Sequence, residues 1–500
     1  MDDDVFTYAE MDHRSDALAA GLAQLDVGRG ERVAMLAPNR TELLELFYGV
    51  AKTGAAQVPL NAYLKGEFLA HQLRQSRSSV LVTDAAGRDA LAPLRDQLPE
   101  LRAVVMLDDL EGDEIAYSNL FTHGDTAPRV QVTPDDVMSI LYTSGTTGLP
   151  KGCVASHGYY RRSGGLIGKA LEVTEDDILF AALPLFHSGA RLVTVTLPVL
   201  YGIPGYLQGS FSARGYFPGA KRVGATLMIA VGAMGAAILA TEPSAADRDH
   251  EVTRIMCAPL SLAAQATFRE RFGVEPWVDI FGQTECMPAT LTALSSDRRD
   301  PNGCGLPAPD LEVALLDDGG NVLDGEATGE ICLRPKAPYA MFDGYFGQPE
   351  ATLEAFRGLW YHSGDYGRRL PSGALAFVDR KKDCLRRRGE NVSSIEVEQA
   401  IDRHPAVVES AVHAVPSTLG EDDIKACVVV SAHIEPAELF AYFKSNLPYF
   451  AIPRFVELLD ALPRNGVGRV MKHKLREAGI TPSTWDFEAM GLTVAKKERR

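Results

Sequence analysis

The length, composition and charge of the chain exclude several classes of protein. Its 500 residues exceed the roughly 250 to 300 at which one hydrophobic core stops growing, so we expect at least two domains. A charged fraction of 23% and an apolar fraction of 46% are ordinary for globular proteins and argue against disorder or a fibrous repeat. The net charge of −16 argues against a nucleic-acid partner, because phosphate backbones are bound by concentrated Lys and Arg.

Patterns for export and membrane insertion are absent from the sequence. The first four residues lack the basic, apolar and small-residue regions of a secretory signal. The longest apolar stretch, residues 227–240, is interrupted by glycine and is shorter than the roughly 20 residues that span a bilayer. The seven cysteines are odd in number and show no CxxC spacing, which argues against a disulfide framework and against a zinc site. These features predict a cytoplasmic protein with no membrane partner.

The first third of the chain alternates between helical and strand patterns. Helical periodicity covers residues 8–25 and 42–52, and strand-like apolar runs cover residues 32–36 and 80–83. This alternation predicts parallel sheets covered by helices. Between residues 311 and 335, short apolar runs joined by an Asp/Gly turn predict an antiparallel β region instead.

The end of the chain has the pattern of a small, separate domain. A helical pattern at 394–402 is followed by strand patterns at 407–415 and 425–431, and then by a second helical pattern at 436–446. We therefore expect an α/β fold in two parts. The N-terminal domain, residues 1–380, consists of stacked, mostly parallel sheets with a β subdomain. The C-terminal domain, residues 381–500, is small and α+β, and the basic stretch at Lys381 and Lys382 is its linker.

The strongest chemical signal is the segment 138–152. An apolar strand there runs into a loop of hydroxyl and glycine residues that is followed by a lysine. Glycine lets backbone N–H groups turn toward an anion, hydroxyls add donors and lysine adds charge, so the pattern predicts polyphosphate binding. The loop is not a Walker A motif, because GxxxxGK[ST] cannot be placed on it. The predicted contacts are Thr143, Ser144, Gly145, Thr146, Thr147, Gly148 and Lys151.

This loop resembles the signature of the adenylate-forming superfamily, which includes acyl-CoA synthetases, luciferases and nonribosomal-peptide adenylation domains. Further motifs of that superfamily follow in order over nearly the whole chain, and residues 386–394 are most similar to crotonobetaine/carnitine-type CoA ligases. The resemblance implies that ATP and a small carboxylate give an acyl-adenylate, from which a thiol, such as CoA, displaces AMP. It also implies a C-terminal domain that acts as a mobile lid, with a hinge at Lys382.

Residues 279–285, DIFGQTE, resemble the superfamily's adenine and metal motif. The resemblance implies that Phe281 stacks on the base, Asp279 lies near its amino group, Thr284 touches the α-phosphate and Glu285 holds Mg²⁺. An aromatic face suits a purine, and a hard carboxylate suits Mg²⁺. The resemblance further assigns the metal to Glu285 and Thr143, and it implies that the remaining contacts to the base are Gly282, Cys257, Ala258 and Pro259.

Two further motifs imply contacts to the ribose and the acyl group. Residues 360–365 resemble the ribose motif, in which Asp365 accepts hydrogen bonds from both hydroxyls. Arg380 matches an arginine that assists at the ribose and phosphate, the alternative being a surface cation in a basic linker. Residues 184–190 resemble a segment that borders the acyl pocket, which assigns His187 to that pocket unless it is a structural histidine. Glycine and alanine at 232–235 suggest room there.

The last motif departs from the superfamily pattern and leaves three functions open. Within residues 463–472 the usual lysine, which bridges carboxylate and α-phosphate, is replaced by Arg469. Arginine keeps the charge but is a planar fork that suits planar anions. The first reading is an AMP-forming ligase with Arg469, His187, Lys151, Thr284 and Glu285 as catalytic residues. The second is an ATP-dependent diazotase that couples nitrite to an aryl amine. The third is a non-catalytic nucleotide-binding homologue.

Overall fold

The computed structural model describes most of the chain. The described residues are 4–121, 130–143, 149–317, 319–380, 384–387, 390–417, 422–463, 470 and 472–495. Several predicted site residues lie outside these ranges, namely residues 144–148 of the phosphate loop, Lys382 and Arg469. For Arg380 the description covers the backbone only.

The first sheet has seven strands in the order β5-β4-β3-β1-β2-β6-β7. All neighbours pair in parallel except β6 and β7, which are antiparallel. The strands are β1 (Arg32–Leu36), β2 (Ala56–Pro59), β3 (Val80–Thr83), β4 (Ala103–Met106), β5 (Ile115–Ala116), β6 (Val137–Thr143) and β7 (Lys151–Ser156). The helices of this region are α1 (Tyr8–Gln24), α2 (Thr41–Thr53), α3 (Gly66–Ser76), α4 (Ala85–Leu91) and α5 (His157–Ala170).

The ends of the first two helices follow from local chemistry. Thr7 Oγ1 accepts a hydrogen bond from the backbone N–H of Glu10 at 3.1 Å, and the Glu10 carboxylate accepts one from the Thr7 N–H at 2.7 Å. This reciprocal pair satisfies two backbone donors at the start of α1. Helix α2 ends at Gly54, whose φ of 74° is readily adopted by glycine. The helices and strands predicted in the first third of the chain are confirmed.

The second sheet has five parallel strands in the order β12-β11-β10-β8-β9. They are β8 (Leu179–Ala181), β9 (Gly205–Leu207), β10 (Leu227–Val231), β11 (Arg254–Ala258) and β12 (Glu275–Trp277). The helices here are α6 (Thr196–Tyr201), α7 (Tyr216–Arg222), α8 (Gly232–Leu239) and α9 (Leu262–Thr267). One hydrophobic core joins residues of both sheets, and the apolar stretch 227–240 is strand β10 followed by α8 within that core.

The antiparallel β region forms two small sheets. The three-stranded sheet contains β13 (Ile280–Phe281), β14 (Thr290–Leu291) and β15 (Leu306–Pro307). The four-stranded sheet contains β16 (Leu311–Leu316), β17 (Thr328–Pro335), β18 (Tyr361–Arg369) and β19 (Leu375–Arg380), with helix α10 (Pro349–Ala355) between β17 and β18. All pairs in both sheets are antiparallel, which confirms the prediction for residues 311–335.

The C-terminal part is α+β, as predicted. It begins with the hairpin β20 (Cys384–Arg387) and β21 (Glu390–Ser393). A mixed sheet follows, in the order β22 (Val407–Pro416), β23 (Asp422–Val430), β24 (Phe455–Leu458) and β25 (Trp485–Asp486). Its helices are α11 (Ser394–Ile401), α12 (Pro436–Asn446) and α13 (Lys472–Ala478). The whole chain therefore has the expected α/β class, with a large N-terminal and a smaller C-terminal part.

Candidate active site

The base of the predicted phosphate loop is held by the antiparallel pair β6 and β7. Thr143, the last residue of β6, lies opposite Lys151, the first residue of β7. The Lys151 ammonium lies 4.9 Å from the ring centroid of Tyr345. An aromatic face attracts a cation without neutralising it, so Lys151 keeps its positive charge at the start of β7, where the predicted loop ends.

Glu285 accepts hydrogen bonds from two hydroxyl groups. Its Oε1 accepts from Thr143 Oγ1 at 3.4 Å and from the Tyr345 hydroxyl at 3.0 Å. Only 7% of Glu285 is exposed. Burial, followed by the charge of Glu285, raises the pKa of the Tyr345 and Tyr361 hydroxyls, so both stay protonated. The two residues predicted to hold Mg²⁺ are thus brought together as hard oxygen donors, the type that Mg²⁺ prefers.

Thr284 connects this motif to the segment that carries His187. Thr284 Oγ1 donates to Ser188 Oγ at 3.1 Å, and the Thr284 carbonyl accepts from the Tyr159 hydroxyl at 2.9 Å. The rings of Phe186 and the half-buried His187 lie 5.2 Å apart. His187 is therefore one residue from a hydroxyl that contacts Thr284, and its contact with the acyl group stays a prediction.

Asp365 is held in place by the side chain of Gln283. The Gln283 amide donates to Asp365 Oδ2 at 2.7 Å and to the Ser363 carbonyl at 2.8 Å, and its oxygen accepts from the Tyr361 hydroxyl at 3.0 Å. Asp365 is 4% exposed, and in the β18 and β19 pair it lies opposite the backbone of Arg380. The ribose motif is therefore joined to the adenine motif through the Gln283 side-chain amide, whose nitrogen and oxygen both make hydrogen bonds.

The predicted adenine contacts occupy the end of β13 and its surroundings. The ring of Phe281 is stacked with that of Phe377, with 6.4 Å between centroids. The Asp279 carboxylate is buried and accepts a hydrogen bond from Arg299 Nε at 2.7 Å. Burial raises the pKa of Asp279, and the Arg299 guanidinium opposes that rise. A Cβ at Gly282 would lie 2.8 Å from the Cys286 carbonyl, so only glycine fits this turn. Their contacts with adenine stay predictions.

The segment Cys257, Ala258 and Pro259 ends β11 and packs against α8. A Cβ at Gly232 would lie 2.4 Å from the Pro259 carbonyl, and one at Gly235 would lie 2.6 Å from Cys257 Sγ. These glycines therefore let a helix approach a strand closely, and the suggestion that the segment leaves room for substrate stays a prediction. The Cys257 thiol is buried, which raises its pKa to about 12, so it is an inert packing group.

Five residues of the site were missed by sequence reasoning: Gln283, Tyr361, Tyr345, Ser188 and Tyr159. Gln283, Ser188 and Tyr361 stand inside recognised motifs, so their positions were the available signal. Tyr345 reaches Glu285 across 60 residues, and Tyr159 reaches Thr284 across 125. No local pattern predicts contacts over such separations.

Two family models match the chain. The family model described as AMP-binding enzyme matches residues 1–346, and the model for the AMP-binding enzyme C-terminal domain matches residues 396–469. The chain belongs to the AMP-binding enzyme family. It is an adenylate-forming ligase of the acyl-CoA synthetase type.

Individual relatives agree with this assignment. The crotonobetaine/carnitine–CoA ligase of Salmonella arizonae is 30% identical over 485 residues, which cover 94% of this chain and 93% of the relative. A structure of a double mutant of o-succinylbenzoate CoA synthetase from Bacillus subtilis, bound with its product analogue, has a TM-score of 0.84 at 26% identity, covering 97% of this chain and 95% of that chain. The same enzyme with its acyl-adenylate intermediate gives 0.67 at 26%, covering 95% and 94%.

Among the residues that the structure describes, no helix combines the length and apolar character that crossing a bilayer requires.

Proposed function

We propose that this AMP-binding enzyme activates a small carboxylate with ATP and transfers the acyl group to the thiol of CoA. The observation that carries the proposal is the convergence of Thr143, Glu285, Thr284 and Asp365 from separate segments, beside Lys151. In the first half-reaction a carboxylate oxygen attacks the α-phosphorus of ATP and pyrophosphate leaves. In the second, the thiol sulfur attacks the acyl carbon and AMP leaves.

The residues of this chain divide that task by charge and geometry. Asp365, held by Gln283, would accept hydrogen bonds from the ribose hydroxyls, and Phe281 would stack on the base. Lys151 and the phosphate loop would hold the β- and γ-phosphates, while the Thr284 hydroxyl would exchange its bond to Ser188 for one donated to the α-phosphate. Such fixed donors stabilise the charge that develops when pyrophosphate leaves.

The oxygen donors beside the loop fit Mg²⁺. Glu285 supplies one carboxylate and Thr143 one hydroxyl at 3.4 Å from it, which leaves room for phosphate oxygens and water to complete the coordination. We propose Glu285 and Thr143 as the protein groups nearest the ion. When bound, Mg²⁺ supplies positive charge that offsets the charge of the phosphates.

A substrate screen tests the proposed reaction. Pyrophosphate release is measured with ATP and Mg²⁺ over a panel of small carboxylates with CoA, and in parallel over aryl amines with nitrite. We expect release with at least one carboxylate, accompanied by AMP and a thioester. Release with nitrite and an amine alone would assign the diazotase reaction, which the relatives above do not support. ATP binding without release in either panel would indicate a non-catalytic homologue.

We further propose that residues 381–500 form a mobile domain hinged at Lys382. Support comes from the separate family match to residues 396–469 and from the two structures of the Bacillus subtilis enzyme. At similar coverage, the TM-score of this chain is 0.84 against the product-analogue complex of the double mutant and 0.67 against the adenylate complex. Such a difference is expected if the two domains of these enzymes rearrange between the half-reactions.

Replacing Lys382 by proline should impair one half-reaction more than the other. Proline fixes φ and removes a backbone N–H, so a hinge that must change its dihedral angles is held nearer one state. Adenylation is measured by pyrophosphate release without thiol, and thioester formation by product analysis. Lys382→Ala, which leaves the backbone free, is the matched control. Equal rates in the proline variant and wild type for both steps would show that the hinge lies elsewhere.

A further inference from the structure

Three side chains with metal-binding atoms meet on the four-stranded sheet, and one of them, His362, belongs to the ribose motif at residues 360–365. Glu330 and Cys332 lie on β17, and His362 lies opposite Cys332 on β18. One ligand atom from each lies within 4.8 Å of the other two. Glu330 is 3% exposed and Cys332 is fully buried, while 12% of the His362 side chain is exposed. Of the three side chains, the imidazole of His362 is therefore the one through which solvent reaches the cluster.

The spacing of these atoms is close to that of a tetrahedral zinc shell. Cys332 Sγ lies 3.4 Å from His362 Nδ1, and the same nitrogen lies 3.0 Å from Glu330 Oε2. Zn–S bonds of about 2.3 Å and Zn–N or Zn–O bonds of about 2.1 Å, at tetrahedral angles, place sulfur about 3.6 Å from nitrogen and nitrogen about 3.4 Å from oxygen. For these two pairs, shifts of a few tenths of an ångström would reach the tetrahedral spacing, and the sulfur and the carboxylate of Glu330 lie within 4.8 Å of each other.

His362 and Glu330 also contact backbone groups through the atoms that do not face the cluster, as metal ligands commonly do. His362 Nε2 lies 3.3 Å from the carbonyl of Arg357, and Glu330 Oε1 accepts a hydrogen bond from the Gly364 N–H at 3.2 Å. A hydrogen on Nδ1 would donate to Glu330 Oε2, and a bound ion would take the place of that hydrogen. A hydrogen on Nε2, donated to the Arg357 carbonyl, then leaves the lone pair of Nδ1 directed at the ion. Ligating imidazoles and carboxylates are held by such second contacts at known metal sites.

We propose that Glu330, Cys332 and His362 bind Zn²⁺ or another thiophilic divalent ion such as Co²⁺. A thiolate with an imidazole selects these ions over Mg²⁺, which prefers oxygen donors. Three protein ligands leave one position for water. The cysteine must lose its proton on binding, so affinity rises with pH and protons are released. These ligands come from two strands and show no CxxC spacing, so the expectation of no zinc site, which rested on that spacing, did not account for them.

Cobalt titration of the full chain tests the site. Protein treated with a chelator is titrated with Co²⁺ in excess Mg²⁺, and we expect one equivalent to bind with thiolate-to-cobalt charge-transfer absorption in the near ultraviolet. Zn²⁺ should abolish the absorption by displacement. Cys332→Ser should remove it, and Glu330→Gln should weaken binding at least tenfold. Cys427→Ser is the matched control, because Cys427 Sγ lies 3.9 Å from another imidazole nitrogen, that of His413.

Two results would overturn the proposal. One is wild-type protein that shows no thiolate band, and the other is a Cys332→Ser variant, folded by circular dichroism, that retains it. If the variant does not fold, anomalous scattering at the zinc absorption edge from zinc-soaked wild-type crystals decides instead. An ion between β17 and β18 at these three residues supports the site, and zinc bound only elsewhere refutes it.

Discussion

Replacing Asp365 by alanine is expected to weaken ATP binding at least tenfold, or about 1.4 kcal/mol. The physical reason is that the buried carboxylate is fixed by Gln283 at 2.7 Å and has further lone pairs for the ribose hydroxyls. Alanine removes both acceptors and leaves the Gln283 amide without one of its partners. Calorimetric titration of wild type and variant with ATP measures the change.

Two further variants make this test specific. Gln283→Leu keeps the carboxylate but removes its tether, so we expect a smaller loss of ATP affinity than in Asp365→Ala, because the acceptors for the ribose hydroxyls remain. Glu312→Ala removes an exposed carboxylate on β16 of the same sheet, paired with Arg334, and should leave ATP affinity unchanged. Wild-type affinity in Asp365→Ala would refute the ribose assignment.

Replacing Arg469 by lysine is expected to maintain or raise acyl-adenylate formation with a carboxylate and CoA. The ammonium restores the contact to carboxylate and α-phosphate that the superfamily motif implies. Arg469→Ala removes the charge and should lower that rate roughly tenfold to more than a hundredfold. This corresponds to the ~1.5 to 3 kcal/mol that a charge-assisted hydrogen bond contributes. AMP formation is measured for wild type and both variants.

The same variants separate this function from the diazotase reaction. If arginine holds nitrite through its planar fork, Arg469→Lys should lower AMP formation with nitrite and aryl amine, because the second hydrogen bond is lost. Arg403→Lys, an exposed substitution in the C-terminal part, is the control for a general effect of the swap. Full activity in Arg469→Ala with every substrate would show that this residue has no part in catalysis.

Much of the fold was predictable because its signals are local. Apolar runs such as 80–83 are buried on both faces of a parallel sheet, so they are continuous instead of alternating. The helix at 8–24 has its capping residues in the adjoining sequence. The motifs that resemble those of the superfamily are also continuous segments, so their order along the chain indicates the superfamily without any tertiary contact.

The sequence by itself therefore determined the fold class and the two-part organisation, and it supplied the residues predicted to face the nucleotide. Only the tertiary structure decided which side chains hold one another. Gln283 reaches Asp365 across 82 residues and Thr143 reaches Glu285 across 142, and both contacts depend on how separate sheets pack. The meeting of Cys332 and His362 depends on the register of β17 and β18. Periodicity records which face of an element is buried, whereas contacts between distant segments arise from packing, for which a single sequence carries no local pattern.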